Sequence, residues 1–89
     1  MVNKINKIEK RKFYIYPTIT NNNIIINFPE DEKEHEIYIY DQFGFLQLHK
    51  NIKGSIYALD VTTLNSGIYF LKINDNLNGQ LTIKKFIKM

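Results

Sequence analysis

The run Leu59-Asp-Val-Thr-Thr-Leu-Asn-Ser-Gly-Ile-Tyr-Phe-Leu-Lys-Ile73 decides how this chain folds. Ile68 to Ile73 carries apolar side chains on both faces of an extended chain. A strand covered on both sides needs that pattern, so this one is expected near the centre of a sheet. The stretch before it, Val61 to Gly67, breaks the alternation and reads as a single helical turn. Asp60 is placed to cap that turn, Leu64 to plug the core, and Gly67 to end it.

Working upstream, the texture is strand, turn, strand. Ile56 to Asp60 is a short strand, preceded by a turn at Lys53-Gly-Ser55. Phe45 to His49 is another, with Leu46 and Leu48 expected to face inward. It is joined through Asp41-Gln-Phe-Gly44, a tight hairpin turn in which Gly44 supplies positive φ. In Glu36-Ile-Tyr-Ile-Tyr40 the two-residue period puts Ile37 and Ile39 on one face and Tyr38 and Tyr40 on the other. Pro29 to Glu34 is an acidic turn. Ile24 to Phe28 places Ile24, Ile26 and Phe28 together. Phe13 to Tyr16 is stopped by Pro17, which has no amide hydrogen for a ladder. Thr20-Asn-Asn-Asn23 reads as a turn.

Working downstream, Asn74 to Gly79 is a loop ending in Asn-Gly, and Leu81 to Lys88 closes the chain as a strand. Its alternation of Leu81 and Ile83 slips at Lys84-Lys85, which predicts a bulge or a frayed end that aims the lysines outward. Seven strands at regular spacing, with short polar connections, point to an antiparallel sandwich or barrel. The expected fold is all-β, a seven-stranded antiparallel β-sandwich of immunoglobulin-like kind over residues 13–89. Residues 1–12 are set apart as a basic linker or arm.

Size and charge narrow the function. A chain of 89 residues holds one domain, and burying roughly 60–65% of its unfolded surface leaves modest stability and little room for a deep pocket. The formal charge of +3 is unevenly spread. Residues 1–12 carry +4, residues 13–83 carry −4, and residues 84–89 carry +3 through Lys84, Lys85 and Lys88. A nucleic-acid binder concentrates cations on its folded face, whereas this body is acidic, so no nucleic-acid partner is expected. No stretch approaches the ~18 apolar residues that span a membrane, and the basic N-terminus lacks the apolar core of a signal peptide. Export of this domain would have to be started by another segment.

Catalytic patterns are missing. There is no cysteine, which removes disulfides, thiol chemistry and cysteine zinc sites. His35, between Glu34 and Glu36, points away from its neighbours on an extended chain and reads as part of a solvated turn, and His49 ends a strand. Glu30, Asp31, Glu32, Glu34 and Glu36 lack the glycine and closing glutamate of a calcium loop. Ser55 and Ser66 sit beside turn glycines with no His–Asp pairing. No phosphate loop, dinucleotide fingerprint or nucleophile elbow occurs. The chain is expected to be no enzyme and to use no metal or other cofactor. Tyr14, Tyr16, Tyr38 and Tyr40 offer one rival reading, an exposed aromatic face for an adhesive or glycan-binding module.

Three segments in order carry a resemblance: Tyr38-Ile-Tyr-Asp-Gln-Phe-Gly44, then Leu59 to Ile73, then Ile83-Lys-Lys-Phe-Ile-Lys88. Together they resemble the type A C-terminal sorting domain of the type IX secretion system. That family shows a Y-x-x-x-G hairpin, an L-x-x-G-x-Y run and a final K-hydrophobic-hydrophobic-K strand. The resemblance covers Phe13 to Met89. The family opens with Tyr-Pro-Asn-Pro, whereas Tyr16-Pro17-Thr18-Ile19 keeps only the first proline.

The resemblance implies a non-catalytic signal carried by an upstream cargo protein. Cargo crosses the periplasm, the outer-membrane translocon recognises the domain, and cargo reaches the cell surface or the medium, where it can be joined to lipopolysaccharide. A sortase-like peptidase cuts in the linker before the domain, which corresponds here to residues near the arm. Lys84, Lys85, Phe86, Ile87 and Lys88 then become the recognition residues. Tyr16, Pro17, Gly44, Leu64, Gly67 and Tyr69 become structural motif positions. Physically, a terminal strand offers edge amides to a partner, with alternate side chains setting specificity.

Overall fold

The computed structural model describes residues 13–29, 34–74 and 81–89. Residues 1–12, 30–33 and 75–80, where the basic arm and most of the expected acidic turn and Asn-Gly loop fall, lie outside the described residues. Among those described there is no helix. There are eight strands: β1 (Tyr14–Tyr16), β2 (Ile19–Thr20), β3 (Asn23–Asn27), β4 (Glu34–Asp41), β5 (Leu46–Lys53), β6 (Ile56–Asp60), β7 (Gly67–Asn74) and β8 (Leu81–Lys88). They form two sheets, a three-stranded one in the order β1-β3-β6 and a five-stranded one in the order β2-β8-β7-β4-β5.

One buried cluster draws on both sheets. Ile15, Ile24, Ile26 and Leu59 enter it from the three-stranded sheet, and Ile37, Ile39, Leu71, Ile73 and Phe86 enter from the five-stranded one. The period-two reading of β3 and β4 holds, because Ile24, Ile26, Phe28, Ile37 and Ile39 are all buried. β7 lies third of five, as the apolar run at Ile68 to Ile73 requires.

The extra strand is β2, two residues at the start of the segment read as turn, of which Thr20 belongs to that turn and Ile19 precedes it. It pairs with β8 in parallel, Ile19 with Ile87 and Thr20 with Lys88. Ile87 N–H donates to Thr18 O at 2.7 Å and Met89 N–H to Thr20 O at 2.9 Å. Two residues are too few to show a periodicity, so such a strand leaves no pattern in the sequence. The chain changes sheets between β1 and β2, where the Tyr16–Pro17 peptide bond is cis.

Other expectations are corrected. β8 holds one unbroken antiparallel register with β7 from Gly67↔Lys88 to Asn74↔Leu81, so there is no bulge at Lys84-Lys85. The register shift falls between Ile39 and Tyr40, where Tyr40 aligns with Leu46 and Ile39 with Leu48. That extra β5 residue puts Leu46 beside outward-facing Tyr40, 51% exposed, while Leu48 packs on the core. β5 also continues to Lys53, so that Ile52 reaches the interior.

Val61 to Gly67 forms a tight turn and no helix. Val61 O accepts the Leu64 N–H at 3.1 Å, and Val61 and Leu64 are both buried. Asp60 does cap the segment. One carboxylate oxygen accepts the Thr62 N–H at 2.8 Å and the Thr62 hydroxyl at 2.6 Å. A short side chain that bonds its own backbone competes with helix and favours a turn. The hydroxyl bond and then the backbone bond hold the Asp60 acid below the usual carboxylate range; desolvation opposes them, and the weaker Lys50 charge adds to them. A depressed folded-state value adds stability above the unfolded value of about 3.9, and that stability is lost as pH falls through the folded value. Thermal melts at neutral pH and near pH 3 are therefore expected to show an acid-induced loss that is smaller in Asp60→Asn. An equal acid loss in both proteins would refute this role.

Candidate recognition surface

The motif residues build corners of the fold. At the β4–β5 hairpin, Asp41 Oδ1 accepts the N–H groups of Phe43 and Phe45, each at 2.9 Å, and Oδ2 accepts Gln47 Nε2 at 3.0 Å. Gly44 adopts φ +89, the left-handed region that a side chain disfavours. Its N–H donates to Asp41 O at 3.0 Å. Leu64 is buried ahead of β7 and Gly67 opens that strand at φ +156. The Tyr69 hydroxyl donates to Asn65 O at 2.6 Å, and its buried ring stacks with Phe86 at 5.6 Å. The L-x-x-G-x-Y spacing thus folds the chain back so that a strand-opening tyrosine latches the turn before it. Tyr16 stands exposed at the end of β1, with its oxygen 3.5 Å from Asn27 Nδ2, and Pro17 follows in the open.

The five residues read as one recognition segment divide by parity. Phe86 is fully buried, so its side chain is unavailable to a partner and that assignment is corrected. Lys84 and Lys88 share its parity and are half-buried. Lys84 Nζ lies 5.5 Å from the centre of the Phe13 ring, and Lys88 Nζ is 3.4 Å from Met89 O. Lys85 and Ile87 face outward. Because the Ile87 N–H points at Thr18, away from β7, the N–H groups of Lys85 and Ile83 point the same way by the two-residue period. The β2 ladder stops at Ile87 and covers neither. Among the described residues, β8 is therefore an interior strand at its end and an open edge beside Ile83 and Lys85.

Register shows what else shares that outer face. One row runs Lys85, Phe70, Tyr40, Leu46, and the next runs Ile83, Lys72, Tyr38, His49. A third row holds Ile19, Ile87 and Ile68. Tyr38 is flanked from both sides. The His49 ring stacks on it at 4.5 Å from β5, and Lys72 Nζ stands 5.1 Å from its centre from the β7 side. The same ammonium lies 5.5 Å from the Tyr40 ring. Glu36 meets His49 Nε2 at 2.9 Å. Desolvation, then the hydrogen bond and charge of Glu36, then Tyr40 raise the Tyr38 acid above its ordinary value.

This geometry removes the aromatic platform. Tyr14 and Tyr16 belong to the three-stranded sheet and Tyr38 and Tyr40 to the five-stranded one, so the four do not share a face. Both flanks of Tyr38 are taken. His35, read as solvated, is buried at 6% exposure in β4 and stacks on Phe28 at 3.8 Å. Sequence reading missed it because charged neighbours on both sides hid its inward parity. Among the described residues, no group of His, Cys, Asp and Glu is placed to hold a metal ion.

What remains is a small all-β module whose distinctive parts are turns, a latch and a sheet face. Its residues 14–89 match the family model described as the secretion system C-terminal sorting domain. The chain belongs to that family. Its function is that of a C-terminal sorting signal for type IX secretion, acting on an upstream cargo and leading it through the outer membrane to the cell surface or the medium. Among curated proteins, none matches the chain.

Proposed function

We propose that this domain works purely by binding, performing no chemistry of its own, and that the outer-membrane translocon reads it after its cargo has passed through the periplasm. A sortase-like peptidase then acts on the linker before it. The observation that carries this reading is the division of β8. Lys85 and Ile87 stand on the outer face, Lys84 and Lys88 are half-buried on the inward row, and the amides of Ile83 and Lys85, which no described strand pairs, lie beside them. Open amides give a partner strand its hydrogen bonds, and outward side chains give it selectivity.

We read the two sheets as halves of an immunoglobulin-like β-sandwich. The Tyr69 bond to Asn65 O supports this, since a tyrosine at the start of the corresponding strand in such sandwiches bonds back to the preceding turn. The parallel β2–β8 pair sits at the edge of an otherwise antiparallel sheet.

Fusing the whole chain behind a reporter that has its own signal peptide, in a type IX-competent host, is expected to send the reporter to the surface or the medium. The reporter without the chain should stay in the cell envelope. Equal release of both would overturn the proposal.

A further inference from the structure

We propose that the outer face of the five-stranded sheet, from Ile83 and Lys85 across Phe70 and Lys72 to Leu46, docks an apolar protein surface bearing carboxylates on the secretion machinery. This rests on the sorting function and extends the recognition surface from one strand to five.

The first support is continuity. Single exposed apolar residues are normal on any surface. Here Ile19 at 54%, Ile83 at 57% and Leu46 at 51% are joined through register by half-buried Ile68, Phe70 and Ile87. A contiguous apolar face rimmed by polar groups marks an interaction site.

The second support is charge. Lys72 and Lys85 are the charged side chains of the three rows, and among the described residues neither ammonium meets a carboxylate. Lys72 rests instead against two tyrosine rings. Glu36, on the next row, is engaged with His49. Two cations within an apolar face repel a second copy of the same face and select a partner with carboxylates. The outer face of the other sheet offers a contrast. Its rows hold Tyr14, Asn27 and Ile56, then Tyr16, Ile25 and Ala58, and contain no cation.

The third support counts against sugar stacking on Tyr38. A stacking platform needs an open ring face, and His49 and Lys72 occupy both flanks of Tyr38.

The test uses the reporter fusion with the whole chain. Lys72→Glu with Lys85→Glu, and separately Ile83→Asp, are expected to lower release at least about tenfold, the change produced by losing one strong interface contact. Ile56→Asp, equally exposed on the other sheet, should stay within about twofold. All variants should keep the melting transition of the parent domain, since each changed side chain is on an outer face. Release unchanged by the outer-face variants, while removal of the whole chain abolishes it, overturns this docking face and leaves the sorting function standing. Equal loss from Ile56→Asp also overturns it. Release indifferent to removal of the chain overturns the sorting function, and this inference with it.

Discussion

Phe86→Ala is expected to cost about 3–5 kcal/mol of folding stability. That is a large share of the roughly 5–15 kcal/mol that a domain of this kind possesses. The ring is fully buried at the point where β8 faces Tyr69, and the two rings stack at 5.6 Å and 21°. Truncation removes both the transferred apolar area and the packing against Tyr69, and the rigid sheets on either side cannot collapse into the gap. Lys85→Ala, one residue away and exposed, should stay within about 0.5 kcal/mol. Urea denaturation of both variants decides it. A Lys85 cost equal to that of Phe86 would mean that β8 does not hold its unbroken register.

Deleting Lys84 to Met89 is expected to remove the cooperative melt and the release of cargo together. The cut takes Phe86 from the core and five of the β7–β8 pairs, from Leu71↔Lys84 to Gly67↔Lys88. It also takes both partners of β2, so Ile19 and Thr20 lose their sheet. The central strand β7 would then be an exposed apolar edge along half its length, a template for aggregation. Calorimetry alongside the release assay checks this. A truncated chain that melts like the parent would show that the last strand is dispensable to the fold. Loss of release on deletion alone would report unfolding, which is why recognition is better tested by changing outward side chains.

Much of the strand plan was legible because a half-buried sheet imposes a period of two on its side chains. Ile24, Ile26, Phe28, Ile37 and Ile39 follow it without exception. The hairpin at Gly44 was legible for a local reason, since few residues other than glycine adopt its φ. Leu64 was legible as an apolar residue set among polar ones in the turn. Errors arose where local pattern met a longer-range arrangement. Leu46 and Leu48 have the same parity, yet one extra residue in β5 turns Leu46 outward. Lys84-Lys85 looked like a slip in the pattern, yet β8 runs straight. Its inward row holds Lys84 and Lys88 because their long side chains can reach past the core rim while their stems stay covered.

The recognition surface was less legible than the fold. The family motifs at Gly44, Leu64, Gly67 and Tyr69 stood out in the sequence, but the structure assigns them to turns and to the tyrosine latch. The outer face is assembled from β2, β8, β7, β4 and β5, whose residues lie far apart along the chain. No window of sequence contains Lys85, Phe70, Tyr40 and Leu46 together.

The amino-acid pattern determined the all-β class, the parity of most strands and the apolar centre at Ile68 to Ile73, because these follow from alternation within a few residues. Strand order, the parallel β2–β8 pair, the burial of His35 and Phe86 and the row through Lys85 and Lys72 were decided by the tertiary fold. Each depends on which strands lie side by side, and pairing between distant segments is set by packing of the whole core.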